Sequence, residues 1–275
     1  MDVVLVAVDG SPMARAAFDA GVAFARQAGL PVHLVTAALS DDVVEPLEDR
    51  RSELHELCAL AEAPRSHAHL LLETTPADAI LSVAEQLGDV LICMGTHGRG
   101  RVGWALLGSV AEDVVARSRF PVLLTGPRRR TRMEHYAQVF VALDGSICAE
   151  TALPLAQRLG GALGASLTLV SAAAQDGRRG QAQRRLTAAY LREVAATLTG
   201  PAPVETVVLT GDAVEALVEA LPSQGGLLVM STHGRSGLQR VTLGSVASSV
   251  CRRAELPVIV ARPAALRREH AASGC

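Results

Sequence analysis

The chain has 275 residues, 49% hydrophobic and only 3% aromatic, with a formal net charge of −2. That length suits two modest domains with cores of Ala, Val and Leu. The near-neutral charge gives no general pull toward nucleic acid or anionic membrane, no apolar run nears the ~18 residues of a membrane span, and the absence of lysine excludes a P-loop or Schiff-base lysine.

In chain order, Met1-Asp2-Val3-Val4 has no basic segment and begins a strand at once, so it does not read as a signal peptide. Val3 to Val8 is a continuous apolar run, as in a strand buried on both faces. Asp9-Gly10 ends it, and Ser11-Pro12 reads as an N-cap followed by proline at the first helical position. That helix runs to Gly29. A strand over Pro31 to Thr36, a helix over Glu48 to Glu62 and a strand over His69 to Leu72 follow. Thr75-Pro76 caps a helix over Ala77 to Leu87, closed by Gly88. Val90 to Met94 is the fourth strand, Ser109 to Arg117 a helix, and Pro121 to Leu124 the fifth strand. The βαβαβαβαβ order implies a parallel sheet covered on both faces.

The pattern then returns. Ala7-Val8-Asp9-Gly10-Ser11 matches Ala142-Leu143-Asp144-Gly145-Ser146, Thr96-His97-Gly98-Arg99 matches Thr232-His233-Gly234-Arg235, and Gly108-Ser109-Val110-Ala111 matches Gly244-Ser245-Val246-Ala247. Landmarks in one order make a tandem duplication. The expected units are 1–127 and 136–264, with an arginine-rich linker at 128–135 and a tail at 265–275. The second copy's strands fall at Val139 to Leu143, Ser166 to Val170, Val204 to Leu209, Leu227 to Met230 and Pro257 to Val260; its second helix lies around Arg184 to Ala196. Pro154 lies inside its first helix and is expected to kink it. The cysteines, five in all and scattered without a CxxC, read as reduced thiols of a cytoplasmic protein.

The richest stretch is Gly95-Thr96-His97-Gly98, nine residues, then Gly108-Ser109. A strand ends, a glycine-bearing loop follows and a helix N-terminus points back, an arrangement suited to phosphate. With its flanking segments and its duplication, this stretch resembles the universal stress protein family in tandem form. The resemblance spans nearly the whole chain. It implies two Rossmann-like open-sheet α/β domains, each a five-stranded parallel sheet of order 3-2-1-4-5 with helices on both faces. Ligands then collect where strand order reverses, between Asp9 and Gly95.

The resemblance further implies adenine nucleotide, ATP or AMP, with or without Mg2+ on the phosphates. Gly98, Gly108 and Ser109 hold phosphates or ribose, Gly95 permits close approach, Asp9 meets the ribose or phosphate region and Ala37 offers backbone to adenine. Thr96, His97 and Arg99 complete the first candidate site. Asp144, Ala172, His233, Gly234, Arg235, Gly244 and Ser245 form the second, in which Ser231 replaces the first glycine. If that glycine needs positive φ, Ser costs ~1 kcal/mol or more; if not, its hydroxyl is available to phosphate. The second site is accordingly expected to bind nucleotide more weakly.

Plainer readings stand beside these. Ser109-Val110-Ala111-Glu112 is also a capping box. His97 and His233 read as loop histidines held by backbone bonds, and Arg99 and Arg235 serve equally as phosphate partners or solvated side chains. With no lysine, no acidic cluster for two metals and no positioned base, no catalytic or metal-ligating residue is assigned. The expected function is a nucleotide-binding stress-response sensor or regulator. The alternatives are a slow ATP hydrolase or phosphotransferase and a ligand-free dimerisation module. In the family the fifth strand pairs subunits, so Val122-Leu123-Leu124 is expected to meet Val258-Ile259-Val260 as an internal pseudo-dimer, with further pairing of two chains as an option.

Overall fold

The structure, a computed structural model, describes residues 1–38, 47–61, 65–72, 74–98, 107–128, 134–174, 177–199, 204–232 and 243–262. In the first half β1 (Val3–Ala7), β2 (Val32–Ala38), β3 (His67–Leu72), β4 (Val90–Gly95) and β5 (Val122–Thr125) alternate with α1 (Pro12–Ala28), α2 (Leu47–Ala61), α3 (Pro76–Leu87) and α4 (Ser109–Arg117). The second half contains β6 (Gln138–Ala142), α5 (Ile147–Glu150), α6 (Leu153–Leu163), β7 (Ser166–Ala173) and α7 (Gly177–Thr197). It continues with β8 (Val204–Thr210), α8 (Ala213–Ala220), β9 (Gly226–Ser231), α9 (Ser245–Arg253) and β10 (Val258–Ala261).

The punctuation read from the sequence operates as local chemistry. Ser11 and Thr75 accept from the third backbone N–H beyond them, with Pro12 and Pro76 opening α1 and α3. Gly29, at φ 68°, ends α1 in the left-handed region. Pro154 does more than kink its helix. Its missing N–H removes the bond to Glu150, and the chain breaks into α5 and α6 around Thr151 and Ala152. α7 is longer than the expected 184–196, and β3 begins two residues before His69.

Strand order is β3-β2-β1-β4-β5-β10-β9-β6-β7-β8, one ten-stranded sheet among the described residues. Each half has the expected order, with reversals between β1 and β4 and between β6 and β9. All pairs are parallel except one. β5 meets β10 antiparallel, Val122 opposite Val260, Leu123 opposite Ile259 and Leu124 opposite Val258. The strands alternate their side chains between two cores. One core gathers Val4, Val6 and Leu34 with residues of α1, α2, α5, α6 and α7; the other gathers Val3, Leu5 and Val35 with residues of α3, α4, α8 and α9.

The halves also share helix ends. Arg262, just past β10, donates to the carbonyl of Ala116 in the last turn of α4 at 2.7 Å, where a cation complements the helix dipole. Gly126, just past β5, lies so close to α9 that a Cβ there would be 2.5 Å from the carbonyl oxygen of Cys251.

Candidate functional site

Two clefts open at the carboxyl ends of the strands, one at each reversal of strand order. The first, of about 230 Å³, is lined by Asp9, Ala37, Gly95, Thr96, His97, Gly98, Gly108 and Ser109, together with aliphatic Val35, Ile80, Met94 and Val110. Every described residue expected at the first site is therefore brought to one cavity. Arg99 lies outside the described residues.

Each wall has a local cause. Asp9 follows β1 and its Oδ1 accepts the N–H of Ser11 at 3.0 Å, which places the carboxylate over the start of α1. Thr96, fully buried, donates its N–H to Thr125 at 3.0 Å and accepts from Gly108 N–H at 2.8 Å. That second bond returns the chain to the strand end, so α4 starts against β4. It also sets the helix start. Gly108 is the N-cap, extended at φ −62°, ψ 147°, with no side-chain cap bond. Ser109 is thus the first helical residue and the expected capping box does not form. The first intrahelical donor is Glu112, to Gly108 at 2.9 Å. Ser109, Val110 and Ala111, whose N–H groups a helix leaves without internal acceptors, all line the cleft.

The glycines are bare for reasons internal to the protein as well. A Cβ on Gly95 would lie 2.9 Å from Met13 Cβ and 3.0 Å from its carbonyl carbon, so the close approach at Gly95 is also that of α1. A Cβ on Gly98 would lie 2.5 Å from Asp9 Oδ2, and one on Gly108 2.9 Å from the Thr96 carbonyl oxygen. None of the three has positive φ, and Ser231 has none either, so the strain penalty considered for Ser231 does not arise. His97 is buried, and its Nδ1 lies 3.1 Å from Thr96 Oγ1. The Ala37 carbonyl accepts from Arg50 at 2.6 Å, a partner the sequence did not disclose.

The second cleft, of about 360 Å³, is lined by Asp144, Ala172, Ser231, Gly244 and Ser245. His233, Gly234 and Arg235 lie outside the described residues. Its construction repeats the first: Asp144 Oδ1 accepts Ser146 N–H at 3.0 Å, Thr232 accepts Gly244 N–H at 2.8 Å, and Gly244 is an N-cap without a side-chain bond. Gln183 and Thr187 of α7 also line it. These were not expected, because no periodicity marks a polar helix residue that turns over a strand end. Thr232 was omitted too, although it repeats Thr96. Tyr190 of α7 donates to Glu150 Oε1 at 2.9 Å; burial first, then that carboxylate, raises its pKa and keeps the phenol a donor. Burial likewise raises the thiols of Cys93 and Cys251, the latter to about 12, so both are inert. Among the described residues no group of His, Cys, Asp or Glu is arranged to hold a metal ion, and no helix is long and apolar enough to cross a membrane.

Doubly wound halves with a cleft at each reversal define a tandem open α/β protein with two matching clefts. The sequence model of the universal stress protein family matches residues 1–126 and again 135–262, and the chain belongs to that family. It is 28% identical to universal stress protein Rv2005c of Mycobacterium tuberculosis over 287 aligned positions, 94% of this chain and 96% of that one. A universal stress protein of Thermus aquaticus, found 3′ of a QAH/OAS sulfhydrylase, is 39% identical over 132 positions, 44% of this chain and 96% of that one. The crystal structure of a universal stress protein from Archaeoglobus fulgidus superposes with a TM-score of 0.66 at 20% identity, covering 95% of this chain and 98% of that one.

Proposed function

We propose that the protein binds adenine nucleotide, ATP or AMP, in the first cleft and in a modified form of it in the second, and that occupancy informs a stress response. The observation that carries this is the uncapped start of α4. Three first-turn N–H groups and the bare backbone of Gly98 and Gly108 converge on a cavity at a reversal of strand order. A phosphate fits that corner. Asp9 does not suit a bare phosphate, since two anions repel. It suits ribose hydroxyls, which donate to carboxylate, or a Mg2+ shared with phosphate, for which one carboxylate suffices. Val35, Ile80 and Met94 offer an apolar slot for a base beside Ala37.

The repeats, 1–127 and 136–264, act in this reading as paired domains. The β5–β10 seam takes the part of a dimer interface within one chain and leaves further pairing of chains open. A cytoplasmic location fits a nucleotide ligand.

The test is mass spectrometry of small molecules released from freshly purified protein, followed by equilibrium dialysis with ATP and AMP. Adenine nucleotide bound at one or two per chain is expected. Absence of released nucleotide together with no thermal shift on adding ATP would refute the reading.

A further inference from the structure

The two clefts differ in size, about 230 Å³ and 360 Å³, and in the helix that follows the second strand of each half. Leu54, Leu57 and Cys58 of α2 sit in one core as Leu191, Val194 and Ala195 of α7 do. In that register Arg50 corresponds to Thr187. Arg50 reaches from α2 to the end of β2 and donates to the Ala37 carbonyl at 2.6 Å, bridging helix and strand. Thr187 is too short to make the same span to Ala172, and the gap stays open. Gln183 and Thr187, one turn apart on α7, line the cavity there. Among the described residues, none of α2 lines the first cleft.

The opening adds a compartment on the sheet face away from the start of α9. Ser171 shares the strand face of Leu169, which packs in one core with Leu191 and Val194 of α7; Ala247 and Val250 of α9 belong to the other core. Ser171 is 6% exposed and lines the cavity. No hydrogen bond ties its hydroxyl, the Gln183 carboxamide or the Thr187 hydroxyl to another described residue. These groups are uncharged, and each both donates and accepts. Asp144, at the end of β6, is the one charged side chain among the described residues that line the cavity. An anion in the compartment would therefore lose water and gain no counter-charge. A group rich in hydroxyls matches it, because every hydroxyl also donates and accepts.

We infer that the α7 compartment of the second cleft holds an uncharged sugar ring carried on a ribose hydroxyl of the nucleotide. The inference rests on the nucleotide reading above and adds a class of ligand that the first cleft does not admit. The order of the parts fixes the point of attachment. Phosphate is drawn to α9, on the far face of the sheet, so a group on the α7 side leaves from the ribose beside Asp144. The ligand of the second cleft is then a glycosylated adenine nucleotide. That of the first, closed at the same corner by Arg50, is the plain nucleotide.

The experiment titrates the full chain, by calorimetry, with AMP, with 2′-O-ribosyl-AMP and with adenosine 2′,5′-bisphosphate, which sets an anion in place of the sugar. One ribosyl-AMP per chain is expected, bound about tenfold more tightly than AMP. The bisphosphate should bind more weakly than ribosyl-AMP. Thr187→Arg gives α7 the residue that α2 has, and should cut the preference for ribosyl-AMP over AMP by about tenfold. Gln183→Ala, at an exposed helix position, should cut it by about fivefold. Should Thr187→Arg not fold, Gln183→Ala alone decides. AMP bound with no preference for ribosyl-AMP, two ribosyl-AMP per chain, a bisphosphate bound more tightly than ribosyl-AMP, or a preference that survives the substitutions would overturn the inference and leave the nucleotide reading standing. A chain that binds none of the three overturns both.

Discussion

Gln27 clasps Tyr136 by both ends of its carboxamide. Oε1 accepts the Tyr136 N–H at 2.7 Å, and Nε2 donates to the carbonyls of Tyr136 at 2.8 Å and Leu163 at 2.6 Å. The Tyr136 hydroxyl crosses back to Ala20 at 3.0 Å, and its ring meets Phe24 edge-on at 6.0 Å between centroids. One side chain of α1 thus fixes both the entry to β6 and the end of α6. Gln27→Ala strands several part-buried backbone groups and should destabilise by ~2–3 kcal/mol, against ~1 kcal/mol for Tyr136→Phe. Urea denaturation checks both; a Gln27→Ala midpoint equal to that of the native chain would refute the clasp.

Gly95→Ala is expected to cost ~1–3 kcal/mol. The new Cβ meets backbone and Cβ of Met13, which cannot swing aside. Ser231→Gly, the mirror change in the second half, should stay within ~1 kcal/mol because no bond is lost. Thermal melts of the pair settle the comparison, and equal destabilisation would show that the two strand ends are packed alike.

Gly98→Ala separates binding from folding. Its Cβ would fall 2.5 Å from Asp9 Oδ2, the far end of a side chain that is able to rotate. Stability should therefore change by less than ~1 kcal/mol, while displacement of the carboxylate lowers first-site ATP affinity by about tenfold or more. Undiminished affinity by calorimetry would remove Asp9 and Gly98 from the site.

The histidines of β2 and β3 give the fold an acid limit. His33 Nδ1 lies 2.8 Å from His69 Nε2, and the His67 ring is 4.6 Å away between centroids. Burial, then the neighbouring His67 and His69, lowers the His33 pKa from 6.5 to about 4. A base with a depressed folded pKa contributes fully above its unfolded value and loses that contribution as pH falls from about 6.5 toward 4. Discounted for solvent screening, the loss is on the order of 1 kcal/mol, or roughly 2–4 °C in Tm. Melts between pH 7 and pH 4 should show it, and His33→Gln should flatten the slope; an unchanged slope would sink the assignment.

How much of this was legible depended on whether a residue's partner lay near it in sequence. Ser11-Pro12, Thr75-Pro76 and Gly29 act on their own helices, so the element order could be read directly. The glycine spacing was legible because duplication printed it twice. Gly95 also answers to Met13, Ala37 to Arg50 and His33 to His67 and His69, and none of these pairs leaves a periodic trace. The false capping box at Ser109 has the same origin. Gly108, held to Thr96 across the loop, takes the cap position in place of Ser109, and the helix starts at Ser109 as its expected bounds had it.

The single antiparallel pair at β5 and β10 has a geometric result. Every strand of the first half points its carboxyl end toward one rim of the sheet, and every strand of the second half toward the other. The mouths of the two cavities consequently face away from each other. A protein docking over one mouth leaves its counterpart uncovered, and reading both at once requires either a partner that wraps the sheet or two molecules approaching from opposite sides.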